Sequence, residues 1–101
     1  MTNCLLTLSI PLALEDEVLD LLLAHPGLAD GFSVTLTEAF GHDVALPSVM
    51  EQIRGRAKRC EVDLMLPRSG VDEVLRELRR ACPNPSIHYR VTAIEQQGRL
   101  A

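Results

Sequence analysis

The stretch that decides the fold is Cys60 to Leu78, CEVDLMLPRSGVDEVLREL, in which the hydrophobic period changes at Pro67. Before the proline, residues 56–66 alternate between an apolar set and a mainly polar set, the pattern of a strand with one buried face. After it, apolar residues recur at the spacing of an amphipathic helix: Val71, Val74, Leu75 and Leu78. The stretch therefore predicts a strand that turns at a proline into a helix.

The N-terminal part of the sequence repeats this arrangement. Residues 3–10, NCLLTLSI, are apolar and stop at Pro11, which cannot donate to a sheet ladder, so they are predicted to form a strand. A helix is predicted from Leu14 to about His25, where a Pro-Gly pair follows. The tetrapeptide Asp-Glu-Val-Leu occurs at 16–19 and again 56 residues later at 72–75. This offset indicates a duplicated strand-helix-strand unit.

Two further segments alternate like strands. They are residues 31–41, GFSVTLTEAFG, and residues 86–95, SIHYRVTAIE. The predicted element order is therefore βαββαβ, and two right-handed crossovers place both helices on the same side of the sheet. The sequence predicts an α+β fold: a ferredoxin-like βαββαβ sandwich with a four-stranded antiparallel sheet and two helices on one face.

The composition fits one globular domain over residues 1–101, with 47% apolar and 24% charged residues. The net charge of −4 and the 3% aromatic content argue against nucleic acid as a partner. Three cysteines without a CxxC pair argue against a disulfide framework and indicate a reducing, cytoplasmic location. The first apolar run lacks a basic leader and is too short to span a bilayer, so no membrane insertion is expected.

The helices leave the other side of the predicted sheet uncovered, and its residues mix charged, hydroxyl and apolar groups. The strand pattern assigns to it Ser33, Thr35, Thr37, Glu61, Asp63, Met65, His88, Arg90, Thr92 and Ile94. One interpretation is a solvated antiparallel face, which is common. The other is a subunit interface in which Glu61, Asp63, His88 and Arg90 find partners across chains. The residues alone leave both open.

The loop after the second strand offers a candidate metal site at His42 and Asp43. An imidazole and a carboxylate suit a divalent transition metal ion, although two adjacent ligands bind weakly without help from Met50, Glu51 or further copies. The alternative is a solvated loop histidine. Ser48 and Glu51 have the spacing of a helix capping box, which indicates a short helical turn in the same loop.

A basic cluster lies where this loop enters the third strand. Arg54 and Arg56 flank Gly55, a residue that permits close backbone approach to an anion, and Lys58 and Arg59 follow. A bound phosphate or carboxylate is one interpretation. The favoured alternative is that these cations pair with acids of neighbouring subunits or solubilise an exposed strand end.

No catalytic arrangement is recognisable, and the protein is not expected to be an enzyme. Cys60 and Cys82 fall at core-facing positions, where a free thiol acts as a small hydrophobe. The sequence has no GxxxxGK loop and no nucleophile with a base and an orienting group. An acylphosphatase-like variant of this fold would need an arginine-asparagine pair around a phosphate loop, which the sequence lacks.

Two segments resemble the PII-like signalling proteins. Ser33 to Gly41, SVTLTEAFG, is similar to their second strand, and its Gly41 resembles the glycine that opens their effector loop. Cys60 to Leu78 resembles their third strand, proline and second helix. Gly41 and the basic cluster at Arg54, Gly55 and Arg56 are therefore the candidate binding residues of this loop. PII proteins hold nucleotide phosphates with a glycine-rich basic loop, and residues 81–86 here, ACPNPS, have neither glycine nor lysine.

A closer resemblance is to the PII-like branch encoded beside heavy-metal efflux pumps. It rests on residues 51–59, Ile87-His88-Tyr89 and Gly98-Arg99-Leu100. It implies a homo-trimer with the uncovered sheet faces turned inward, a regulatory or chaperoning role near metal export, and an efflux pump component as partner. Two alternatives stand beside it: a divalent metal-binding protein similar to cation-tolerance proteins, and a sensor of a small anion or nucleotide.

Overall fold

The computed structural model describes residues 3–27, 31–40 and 57–101. Within them the chain forms four strands and two α-helices. They are β1 (Asn3–Pro11), α1 (Glu15–Ala24), β2 (Phe32–Ala39), β3 (Ala57–Pro67), α2 (Val71–Ala81) and β4 (His88–Ala93). Neither of these helices is long and apolar enough to cross a membrane.

The strands form one antiparallel sheet in the order β2-β3-β1-β4. Both central strands belong to strand-helix units, so β1 leads into α1 and β3 leads into α2. The buried residues of both helices pack in a single cluster with alternate residues of β1 and β3. The predicted ferredoxin-like α+β fold, with both helices on one face of a four-stranded antiparallel sheet, is confirmed.

The two strand-to-helix crossovers have the same geometry. After Pro11 a short 3-10 turn over Leu12–Leu14 leads into α1, and after Pro67 a 3-10 turn over Arg68–Gly70 leads into α2. The backbone angles of the prolines agree, with φ −58° and ψ 141° at Pro11 and φ −60° and ψ 143° at Pro67. Proline fixes φ near this value and cannot extend a ladder, so it sets the same turn twice. The 56-residue repeat seen in the sequence is therefore also a repeat of backbone structure.

The core lies between the helices and the two central strands. β1 and β3 supply fully buried apolar side chains in cross-strand pairs such as Leu6 with Leu64 and Leu8 with Val62. The helices add Val18, Leu22, Val71, Val74, Leu75 and Leu78. Each fully buried aliphatic side chain of this size contributes about 1.5–3 kcal/mol relative to an exposed one.

The edge strands depart from the sequence-based expectation. Four of their residues predicted to face the core lie on the helix side but keep a third or more of their surface exposed: Val34, Leu36, Tyr89 and Val91. Leu36 is 70% exposed and Tyr89 is 51% exposed. The reason is geometric, because two helices about 10 Å wide cover the two central strands and not the whole sheet. Phe32, nearer the helices, is partly buried against the core.

Candidate subunit interface on the uncovered sheet face

The face of the sheet opposite the helices is built in cross-strand rows. One row runs Thr35, Glu61, Ser9 and His88 from β2 to β4, and the next runs Ser33, Asp63, Thr7 and Arg90. A third row contains Met65, Leu5 and Thr92. We call this set of residues the uncovered face. The sequence assignment of its β2, β3 and β4 residues is confirmed by this register.

Thr7 is the most deeply placed residue of the uncovered face. Its side chain is only 2% exposed although no helix lies over it. The Thr7 hydroxyl donates a 2.6 Å hydrogen bond to Oδ1 of Asp63 on the neighbouring strand. A buried hydroxyl needs a partner, and this bond provides one that is charged. The middle of the uncovered face is therefore an ordered polar pair and not an open hydrated groove.

An ion pair crosses this face above β1. Glu61 on β3 and Arg90 on β4 approach to 3.6 Å, and β1 lies between the two strands. The side chains are 30% and 60% exposed respectively, so water screens much of their attraction. Exclusion of that water by a neighbouring molecule would strengthen the pair.

Arg59 is the residue whose role the sequence did not reveal. Its side chain is 6% exposed and ties together three segments of the chain. Nε donates to Oγ of Ser9 at 3.0 Å, and Nη2 donates to the backbone carbonyl oxygens of Ser9, at 2.9 Å, and of Ser86. Burial lowers the pKa of Arg59 from its ordinary value. No carboxylate forms an ion pair with Arg59 in the part of the chain that the structure describes.

The expectation for Arg59 as a member of the basic cluster is therefore corrected. It does not solubilise an exposed strand end, because it is buried and its Nε and Nη2 donate to hydroxyl and carbonyl oxygens of its own chain. Lys58, one residue earlier, is exposed as expected. Only the alternation of β3 could have placed Arg59 on the uncovered face, and nothing in its neighbours signalled burial.

Other candidate residues from the sequence fall in a segment about which the structure gives no description. They are Gly41, His42, Asp43, Arg54, Gly55 and Arg56, all outside the described residues. The proposed capping box of Ser48 and Glu51 lies there as well. Among the described residues, no group of three histidine, cysteine or acidic side chains could hold a metal ion. The metal and anion hypotheses remain predictions.

The thiols are free and poorly suited to act as nucleophiles. Cys4 and Cys60 are buried, Cys82 is half-buried, and none forms a disulfide. Burial raises the pKa of Cys60, with a smaller contribution from the Glu15 carboxylate. Burial also raises the pKa of Cys82, assisted by the charge and the hydrogen bond of Glu17. A raised pKa keeps a thiol protonated at neutral pH, and the thiolate is the reactive form.

The chain has the fold of the PII-like α+β proteins. It belongs to the DUF3240 family, a protein family of unknown function, whose model matches residues 1–101. No curated protein sequence matches the chain significantly. The PII-like resemblance seen in the sequence is thus confirmed for the fold.

Three solved structures show how closely the fold is shared. A DUF3240 protein from Shewanella baltica OS155 has 23% identity and a TM-score of 0.77, over 100% of this chain and 99% of its own. CPII from Thiomonas intermedia K12, a nitrogen regulatory PII-like protein bound to ADP, AMP and bicarbonate, has 17% identity and a TM-score of 0.70, over 100% and 98%. CutA from Synechococcus elongatus PCC7942 has 17% identity and a TM-score of 0.68, over 92% and 77%. At these identities the likeness concerns the fold alone.

Proposed function

We propose that this protein is a PII-like regulatory or binding protein that assembles as a homo-trimer through the uncovered face and has no catalytic activity. The observation that supports this most directly is the uncovered face itself. It combines a buried polar pair, Thr7 with Asp63, and a solvent-weakened ion pair, Glu61 with Arg90, with the exposed apolar side chain of Met65. A polar network beside apolar surface is typical of a subunit interface.

The incomplete coverage of the sheet supports the same proposal. Helices cover only the central strands on one side, so neither face of the sheet is completely buried. Small domains gain much of their stability by burying further surface in an oligomer. A second copy placed on the uncovered face would exclude water from both polar pairs and from Met65.

Assembly leaves residues 41–56, between β2 and β3, as the segment that contacts an effector or a partner protein. His42 and Asp43 are the proposed ligands of a divalent metal ion, and Gly41, Arg54, Gly55 and Arg56 are proposed to bind an anion. CPII was solved with ADP, AMP and bicarbonate, which makes a small anion or nucleotide the alternative effector. A link to heavy-metal efflux rests only on the resemblance to the efflux-associated branch.

The assembly is tested by light scattering coupled to size-exclusion chromatography. At micromolar concentration we expect a mass three times that of the 11.1 kDa chain. Met65→Glu places a charge on the uncovered face and should yield monomers, because an unpaired charge at an interface core is costly. Leu23→Glu is the matched control, since Leu23 is 67% exposed on α1, on the other side of the sheet. A monomeric wild type, or an assembly unaffected by Met65→Glu, would contradict the proposal.

The effector is tested by calorimetric titration with copper, zinc, cobalt and nickel ions and, separately, with ADP, AMP and bicarbonate. Metal heat that disappears in His42→Ala supports the metal alternative. Anion heat that disappears in Arg54→Ala or Arg56→Ala supports the sensor alternative. Absence of heat from every one of these probes would overturn both proposed ligand sites and leave a protein partner as the target of the segment.

A further inference from the structure

Three side chains that carry or can gain a positive charge occur at one corner of the uncovered face: Arg59, His88 and Arg90. His88 is exposed on β4, with Arg90 two residues later on the same side of the strand. Ser9 is the cross-strand neighbour of His88, and Ser86 precedes it by two residues. The buried guanidinium of Arg59 is hydrogen-bonded to both of these serines. Along β4, His88 therefore lies between Ser86, whose carbonyl accepts a hydrogen bond from Arg59, and Arg90.

The acids of the uncovered face are already engaged elsewhere. Glu61 pairs with Arg90 at 3.6 Å, and Asp63 accepts the hydrogen bond of Thr7. Neither β1 nor β2 adds a titratable group to the described part of this face, since their residues there are Asn3, Leu5, Thr7, Ser9, Ser33, Thr35 and Thr37. The two carboxylates, Glu61 and Asp63, therefore balance the charge of the two guanidinium groups, Arg59 and Arg90, when His88 is neutral. A protonated His88 adds an uncompensated positive charge.

We infer that the proposed homo-trimer is pH-sensitive: protonation of His88, at the same corner of the uncovered face as Arg59 and Arg90, disassembles it. The inference rests on the proposed function, because it needs the uncovered face to be the interface. In a free chain, water and salt screen the added charge. In the assembly the same charge is buried on a face whose two carboxylates are already balanced by Arg59 and Arg90, which disfavours the assembled state.

The sign and size of the effect follow from linkage. Histidine changes its charge between about pH 5 and pH 8, a range in which carboxylates and arginines ordinarily do not titrate. If each chain must lose one proton to assemble, the association constant falls by up to about tenfold per proton for each pH unit below the titration range. For three copies this amounts to roughly a thousandfold per pH unit. Assembly should therefore be lost on mild acidification.

Sedimentation velocity of the full chain from about pH 7.5 to about pH 5.5 tests this range. Wild type should change from trimer to monomer as the pH falls. His88→Gln, neutral at every pH, should stay assembled throughout, and His88→Lys, a permanent cation, should be monomeric even at the upper pH. His25→Gln is the control, since its ring bonds the carbonyl of Leu21 at the end of α1, and it should behave like wild type.

The outcomes separate the two proposals. A wild type that is monomeric at the upper pH overturns the proposed assembly and this inference with it. A wild type that stays trimeric across the whole range overturns the inference alone. So does a His88→Gln variant that dissociates with wild-type pH dependence, or a His88→Lys variant that assembles like wild type. Circular dichroism of each variant at both pH limits shows whether the monomers are folded, and unfolding of wild type at the lower pH would also overturn the inference.

Discussion

Arg59 on β3 reaches across β1 and donates from Nη2 to the backbone carbonyl of Ser86, in the turn that precedes β4. This contact joins the beginning of one central strand to the entry of an edge strand. Among the described strands β4 pairs with β1 alone, so its position depends on that ladder, on this arginine and on the Glu61–Arg90 ion pair. The residue that holds the corner of His88 in place is therefore a buried cation on another strand.

The Arg59 contacts should be worth more than any exposed charge of this chain. Arg59→Met removes all three hydrogen bonds and leaves two partly buried carbonyl oxygens without this donor, so we expect a loss of about 2–3 kcal/mol in unfolding free energy. Arg59→Lys should recover little, because an ammonium cannot reproduce the planar fork. Urea unfolding at fixed protein concentration measures both. Lys58→Met, on the exposed neighbour, is the control and should change stability by less than about 0.5 kcal/mol.

The Thr7 hydroxyl, at the centre of the uncovered face, should contribute measurably to the free energy of unfolding. Thr7→Val keeps the shape of the side chain but removes its hydrogen bond to Asp63, and we expect a loss of about 1–2 kcal/mol. Thr35→Val, an exposed threonine on β2, should cost less than about 0.5 kcal/mol. Equal effects of the two substitutions in urea unfolding would show that the Thr7–Asp63 bond adds nothing to stability.

Two leucines on the helix side of the sheet should differ strongly in their contribution to stability. Leu64 on central β3 is fully buried, whereas Leu36 on edge strand β2 is 70% exposed. Leu64→Ala leaves a cavity and should cost about 2–5 kcal/mol, while Leu36→Ala should cost less than about 0.5 kcal/mol. Chemical denaturation, monitored by circular dichroism, measures the stability of both variants. A large effect at Leu36 would mean that another molecule covers this edge.

The alkylation rates of the three thiols should depend on their burial and, for Cys82, on the charge of Glu17. In the native protein at neutral pH we expect Cys4 and Cys60 to resist iodoacetamide and Cys82 to react slowly. Glu17→Gln removes the carboxylate that helps to raise the pKa of Cys82, so the thiolate fraction and the alkylation rate of Cys82 should both increase. Mass spectrometry of alkylated peptides gives the rates. Asp16→Asn is the control, and an equal increase in that variant would contradict the role of Glu17.

Much of the fold could be predicted from the hydrophobic periodicity and the positions of the prolines alone. The stripe of Val71, Val74, Leu75 and Leu78 is buried as predicted, and the four of them pack in the core. Helix α1 begins at Glu15 and not at Leu14, because Leu14 ends the 3-10 turn that follows Pro11. Alternation gave the facing of β2, β3 and β4, but it carries no information on how far a helix extends over a sheet. The exposure of Leu36 and Tyr89 could therefore not be foreseen.

The candidate site was predictable only in part, for a physical reason. Alternation assigns a residue to a face, so Glu61, Asp63, His88 and Arg90 were found. It does not report which side chain bends inward, and the burial of Arg59 and Thr7 depends on partners at Ser9, Ser86 and Asp63 that are distant in sequence. The ligand hypotheses at His42, Asp43, Arg54 and Arg56 rest on residue chemistry alone and remain predictions.

The strand order has one more consequence, for the chain during its synthesis. Every ladder among the described strands joins the first strand-helix unit to the second: β1 pairs with β3 and β4, and β2 pairs with β3. A nascent chain therefore has none of these partners for β1 or β2 until β3 has left the ribosome. Folding of the sheet waits for the second unit to be translated, and a product that terminates before β3 keeps bare strands that proteases can cut.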